Sequence, residues 1–283
     1  MPMNEETDTV NARVSVVTGA TGMLGRATAI ELASRGADLV LVCRDPARGA
    51  GVLEEVGKAG PAGSHRLLVG DLADPEAVRA LAAQIRQDTD QLHALIHTPA
   101  ALTRDRQENR AGHELMFATN LLGRFLLTHQ LLPLLERGAS ARVLVVTGPS
   151  PDRLDFDDLM ARSDFQPFRQ FRATNAANLL FAFELARRLE RTGVTANAYH
   201  PGALQSDLMR QMPAMVRLLT WPVGRRADRA AHALAALALK ARYAQATGRF
   251  YKRDKSATPP KNSQDTDAQQ RLWIECQRLL GIA

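Results

Sequence analysis

The chain has little cysteine, little lysine and no long apolar run, and each shortage removes a class of protein. Two cysteines in 283 residues, Cys43 within an apolar stretch and Cys276 near the end, make neither a disulfide framework nor a metal-ligand cluster. Such usage fits a reducing compartment, so a cytoplasmic protein without a metal site is expected. No segment approaches the roughly 18 consecutive apolar residues of a membrane span. The opening MPMNEETDTVNA is polar and acidic, without the apolar core of a signal peptide, and residues 1–12 read as a flexible N-terminus. Only five of the 36 basic residues are Lys (Lys58, Lys240, Lys252, Lys255 and Lys261), so Arg supplies most of the positive charge. The net charge of +6 would suit a polyanion, but the basic residues are scattered, with no basic run and no aromatic-spaced stripe. Nucleic-acid binding is therefore not expected.

What is present is rhythm. Short Val/Leu-rich runs, RVSVV (13–17), DLVLVC (38–43) and HRLLV (65–69), alternate with longer segments of helical period, MLGRATAIELAS, PARGAGVLEEVGKAG and DPEAVRALAAQIRQD. The alternation continues through LHALIH (92–97), a helix around Glu108 to Glu136, ARVLVVT (141–147), a helix around Phe168 to Arg191, VTANAYH (194–200) and GRFYK (248–252). Strands this apolar are covered by helices on both faces. The pattern predicts an α/β protein with a doubly wound, seven-stranded parallel sheet, the Rossmann fold, as a single domain over residues 13–283. SATPPKNSQDTD (256–267) reads as a loop before a last amphipathic helix, AQQRLWIECQRLLG. A ligand belongs beyond the carboxyl ends of the strands, where the strand order reverses.

TGATGMLGRATA follows the first strand and places Gly19, Gly22 and Gly25 between strand and helix, with Thr21, Met23 and Leu24 along the same edge. Glycines here allow a tight turn, close approach of backbone N–H groups to a pyrophosphate, and close packing of the helix whose positive end faces the phosphates. At the end of the second strand, LVCRDPARG puts Arg44 and Arg48 where an NAD site would carry an acid. Arg forks pair with a 2′-phosphate, which favours NADP(H) over NAD. Asp45 fits a helix N-cap. Asp71, followed by Leu72, is placed either to reach the adenine amine or to cap the next helix.

These motifs, with ATNLLGRFLLTHQLLPLL, NLLFAFELARRLERTGVTANAYHPG and RLWIECQRLLG, make the chain resemble the short-chain dehydrogenase/reductase family, and within it the retinol-dehydrogenase-like branch. The spacing of the three glycines matches the loop of the family's extended members. The resemblance implies a catalytic tetrad of Asn, Ser, Tyr and Lys. The Asn maps to Asn120. The Ser-Ser pair after the fifth strand reads Thr147-Gly148, and the Tyr-x-x-x-Lys motif falls on FRATN, with Phe171 at the Tyr position and Asn175 at the Lys position. The Asn-Asn-Ala-Gly after the fourth strand reads His97, Thr98, Pro99 and Ala100.

Phe171 keeps the ring and loses the proton; Asn175 loses the cation but retains hydrogen bonding toward the nicotinamide ribose. A positioned acid or base contributes about 10²- to 10⁴-fold in rate, so the usual carbonyl reduction is not expected. His97 is the leading substitute acid/base, and Thr147 a hydrogen-bond donor to a substrate oxygen. Pro201, Gly202 and Ser206 match the segment beside the nicotinamide, and residues 203–224, with Met209, Met212, Met215 and Trp221, match the substrate lid, which implies a hydrophobic small-molecule substrate. NADP(H) is the implied cofactor, bound with or without redox turnover. Three functions follow: non-redox chemistry such as cyclisation, isomerisation or dehydration; an NADP(H)-dependent oxidoreductase with an unconventional proton source; or a catalytically silent binding protein. The resemblance also implies a homodimer built on the helices around 108–136 and 168–191.

Overall fold

The apolar runs form one sheet. In a computed structural model, which describes residues 13–61, 63–202, 204 and 227–282, the strands are β1 (Val14–Thr18), β2 (Asp38–Cys43), β3 (His65–Val69), β4 (Ala94–His97), β5 (Arg142–Val146), β6 (Thr195–His200), β7 (Phe250–Lys252) and β8 (Lys255–Ala257). Their spatial order is β3-β2-β1-β4-β5-β6-β7-β8. All neighbours are parallel except β7 and β8. The expectation of seven strands is corrected to eight: Lys255–Ala257, which runs into the start of SATPP, is a three-residue strand that folds back on β7. Such a short polar edge strand carries no alternation of its own, and only its pairing defines it. Ser206, residues 1–12 and almost all of the 203–224 lid lie outside the described residues.

The crossovers are α1 (Met23–Ser34), α2 (Pro46–Ala59), α3 (Pro75–Asp88), α4 (Leu115–Phe117), α5 (Gly123–Arg137), α6 (Pro167–Arg188) and α7 (Ala227–Leu239), followed by the C-terminal α8 (Thr266–Leu280). Asp45 and Asp74 start α2 and α3 by accepting from the backbone N–H of Arg48 and Glu76, each with Pro at the first helical position. The helix expected from Glu108 begins at Leu115 instead. Glu108 and Glu114 form an isolated bridge, and the Glu114 carboxylate caps α4 by accepting from Met116 and Phe117 N–H. Between α4 and α5 one π turn, Ala118–Leu122, carries Asn120.

Alternation along each strand divides the core. Val16, Leu95, Val143, Val145, Ala196 and Ala198 face α3, α5, α6 and α8. Val17, Ile96, Leu144 and Tyr199 face α1, α2 and α7. The chain's own C-terminal helix covers the outer flank of α5 and α6. Trp273 of α8 stands edge-on to Phe125 at 4.6 Å and lies 6.2 Å from Phe181, with the Arg188 guanidinium 4.4 Å above it. Residues 121–128, from the end of the π turn into α5, and 176–182 of α6 are buried throughout. A homodimer seated on these helices therefore finds no free apolar face on those stretches.

Trp273 is 6% exposed and its indole N–H has no partner among the described residues, so its contribution is packing and the Arg188 contact on its ring. Trp273→Ala is expected to cost about 3–5 kcal/mol of stability, read as a shift of the chemical-denaturation midpoint; a loss within measurement error would contradict this role for α8.

Candidate functional site

The strand order reverses between β1 and β4, and their carboxyl ends approach so closely that only glycine fits. Gly19 has φ +69°, and a Cβ there would sit 2.9 Å from both Pro99 N and Thr98 Oγ1. A Cβ on Gly25 would meet the Gly19 carbonyl oxygen at 2.2 Å. Thr98 closes the contact by donating its hydroxyl to the Thr18 carbonyl at 2.7 Å. Beyond this knot α1 begins at Gly22 with no side-chain cap and no acidic residue in its first turn, which leaves its N–H groups for an anion. Met23 is 41% exposed beside it, whereas Leu24 and Leu72 are buried.

Arg48 reaches across from α2 and donates to the Thr21 carbonyl at 3.0 Å, which holds its guanidinium over the glycine loop. Arg44 stands largely exposed at the end of β2, 3.9 Å from the Asp71 carboxylate. Asp71 does not cap α3, since Asp74 does; it accepts from Ala73 N–H at 2.9 Å and turns toward the Arg44 side of the cleft. A cradle closed to any side chain, an uncapped helix start and two Arg beside it fit a dinucleotide carrying a 2′-phosphate.

The second half of the site is built from β5 and α6. Asn175 turns its Oδ1 inward, accepting from Gly148 N–H at 3.1 Å and from the Thr147 hydroxyl at 3.2 Å. Its Nδ2 has no acceptor among the described residues. A Cβ on Gly148 would lie 3.3 Å from that Nδ2, so the amide occupies the space a side chain at 148 would need. Thr147 also reaches the Asn175 carbonyl at 3.1 Å, so the expected bond to a substrate oxygen gives way to one that pins α6 to β5. Phe171 is half-buried and offers no polar side-chain atom. Its neighbours Arg169 and Arg172 pair with Asp164 and Asp152 at the surface.

Two expectations are corrected. His97 does not line the cleft. Strand parity aims it at α5, where it is 0% exposed, with Nδ1 3.2 Å from the Thr18 hydroxyl and Nε2 2.9 Å from that of Thr128. Burial, and then the charge of Arg124, hold its pKa well below the ordinary 6.5, so the ring is neutral and engaged at both nitrogens. Asn120 is equally occupied: it accepts from Ala101 N–H at 2.7 Å and donates to the Ala101 carbonyl at 2.9 Å and to the Thr174 hydroxyl at 3.1 Å. It clamps the loop after β4 to the π turn and α6.

The residue that sequence reading missed is Arg124. It is 2% exposed. Nη1 donates to the Val146 carbonyl at 2.8 Å and to Asn178 Oδ1 at 3.1 Å, and Nη2 donates to the Pro99 carbonyl. Its Nε has no partner, and no carboxylate among the described residues pairs with it. Burial lowers its pKa to about 9. The signal was a lone charge in the apolar run GRFLLTHQLL. At the end of β6, His200 stacks on Phe250 with centroids 6.4 Å apart, and Gly202 takes a left-handed φ of +86° after Pro201.

Comparison with known proteins agrees with this geometry. Residues 13–217 match the family model described as short chain dehydrogenase. Human dehydrogenase/reductase SDR family member 13 is 36% identical over 282 residues, covering 96% of this chain and 74% of that protein. Mouse retinol dehydrogenase 14 is 32% identical, covering 96% and 87%. A solved Mycobacterium paratuberculosis protein superposes with a TM-score of 0.76 at 27% identity, over 95% of this chain and 94% of that one. The Pseudomonas aeruginosa RhlG/NADP complex shares the fold, with a TM-score of 0.69 at 24% identity over 87% and 96%. No helix among the described residues is long and apolar enough to cross a membrane.

Two outcomes test the site's construction. Gly25→Ala drives a methyl group into the Gly19 carbonyl and is expected to cost about 1–3 kcal/mol and to abolish stabilisation by added NADPH, both read in thermal melts. His97 has a folded pKa below its unfolded value, so the unfolded chain takes up protons first as the pH drops. The stability this residue contributes is complete above the ordinary 6.5 and is lost as the pH falls below it. His65, His93, His113 and His200 shift the same way, each chiefly through burial. The melting temperature should fall between about pH 7 and pH 5, and His97→Gln should flatten part of that fall.

Proposed function

As a member of the short-chain dehydrogenase family, by its match over residues 13–217 and its 36% identity to a human dehydrogenase/reductase, the chain sits on an oxidoreductase scaffold, and we propose that it is an NADP(H)-dependent reductase working without a resident acid. The observation that carries this reading is the contrast between the two halves of the site: an intact dinucleotide cradle at Gly19, Gly22 and Gly25, and a wall at Phe171 and Asn175 with no titratable proton. When bound, the reduced dinucleotide supplies a hydride. Arg48 and Arg44 would hold its 2′-phosphate, the α1 N-terminus its pyrophosphate, and Asn175 would hydrogen-bond the nicotinamide ribose.

Phe171 offers the acceptor an apolar surface while leaving it open to water, which suits a hydrophobic small molecule. An acceptor that spreads its developing negative charge over a conjugated carbonyl takes its proton from water and does not need the missing Tyr. An activated carbon–carbon double bond meets this requirement better than an isolated ketone does. We place the protein in the cytoplasm on the strength of its two buried, unpaired thiols, Cys43 and Cys276. One observation favours a second reading. The engaged Thr147, the glycine at 148, Phe171 and Asn175 together leave no proton relay, which suits orientation-driven non-redox chemistry such as cyclisation, isomerisation or dehydration. Binding without turnover is the limiting case of that second reading.

The discriminating experiment incubates the protein with an enone probe and a saturated-ketone probe, with and without NADPH. Enone reduction with one NADPH oxidised per product, and little or no turnover of the ketone, is expected; product formed without NADPH consumption would replace the reductase with the second reading. Arg48→Ala should weaken NADPH binding about tenfold or more, the scale of losing a charge-assisted hydrogen bond, and leave NADH binding nearly unchanged. Equal losses for both nucleotides would refute the 2′-phosphate assignment.

A further inference from the structure

A guanidinium buried without a counter-ion is rare, because taking a charge out of water is costly unless it is paired or fully hydrogen-bonded. Among the described residues Arg124 is such a group, and it lies under the site. Its donors grip the Pro99 carbonyl just past β4 and the Val146 carbonyl at the end of β5, and Asn178, which it also holds, is three residues along α6 from Asn175. The groups around it are neutral: the carbonyls, the Asn178 amide and the His97 ring. The family resemblance would put a cation at 175, where this chain has Asn. In the half of the site built from β5 and α6, the buried positive charge is thus Arg124.

On the premise that the cleft binds NADP(H), we infer that Arg124 is a positioning residue that biases the site toward the reduced dinucleotide. The oxidised nicotinamide ring carries a positive charge and the reduced ring is neutral, so a buried cation beneath the carboxyl ends of β4 and β5 opposes only the oxidised form. Two unit charges about 10 Å apart, in a medium of effective dielectric constant about 20, change a binding constant by roughly tenfold. The protein then rests in the reduced-cofactor state, and hydride transfer out of that state relieves no repulsion but creates it, which speeds release of the spent cofactor. The charge also favours negative charge developing on an acceptor held at the same edge.

The test is the ratio of two dissociation constants, for NADP+ and NADPH, measured by calorimetry or fluorescence on the full chain, on Arg124→Lys and on Arg124→Gln. Wild type should bind NADPH roughly tenfold more tightly than NADP+. Arg124→Lys should keep that preference, and Arg124→Gln should bring the ratio close to one even if both constants weaken together through loss of the carbonyl contacts. A purely structural role moves the two constants in parallel and leaves the ratio alone. If Arg124→Gln does not fold, the wild-type and Arg124→Lys ratios still decide: equal affinities for the two forms overturn the inference. An unchanged preference in a folded Arg124→Gln overturns it as well. Failure to bind either nucleotide defeats the NADP(H) reading itself, and the inference with it.

Discussion

One side chain joins most of the parts on which the site depends. Arg124 ties the loop after β4 to the end of β5 and, through Asn178, to α6. Asn178 donates in turn to the Thr174 carbonyl, the Thr174 hydroxyl accepts from Asn120, and Asn120 grips Ala101 by both its groups. Pro99, held at one end of this network, is the backbone against which Gly19 packs. The glycine loop, the rebuilt HTPA segment, the π turn and the FRATN helix are therefore one mechanical unit. Removing the guanidinium would leave buried carbonyls without donors, a cost of roughly 1–3 kcal/mol each.

That unit also fixes the shape of the site around Phe171 and Asn175. In the family to which the chain belongs, the resemblance assigns proton transfer to a Tyr and a Lys on α6. Here α6 is held to β5 by Thr147 and Gly148 through Asn175, and to the β4 loop through Thr174 and Asn120, with neutral groups at every contact. The cofactor half needs none of those residues, because its demands fall on the backbone: a left-handed Gly19, close approach at Gly25 and an uncapped helix start.

Much of this was legible in the amino-acid order. Five of the eight strands follow from Val/Leu/Ile runs, since a strand between helical layers must be largely apolar, and β6 and β7 follow from their place in the alternation. Asp45 was readable as a cap from its place before Pro46, and the glycine loop from its place after β1. What was not legible depends on which face a residue occupies. His97 looks like a ligand-edge residue in the linear order, but the period of two places it with Leu95 on the α5 side of the sheet, inside the core. Arg124 was hidden for the opposite reason: a lone Arg in an apolar helix is normally expected to reach solvent, and here it turns toward three backbone and amide oxygens. β8 is defined by pairing alone, and Asn120 kept its identity while its hydrogen bonds went to Ala101.

The central claim is that the scaffold delivers hydride chemistry without a titrating residue of its own. Its most direct test is the pH dependence of the limiting rate of NADPH oxidation with a saturating enone, from about pH 6 to pH 8. A rate independent of pH across that range is predicted, because Phe171 and Asn175 do not ionise there, His97 stays neutral inside the core, and Arg124 keeps its proton over nearly all of the range. A sigmoid or bell-shaped profile in that window would reveal a resident acid or base and contradict the account.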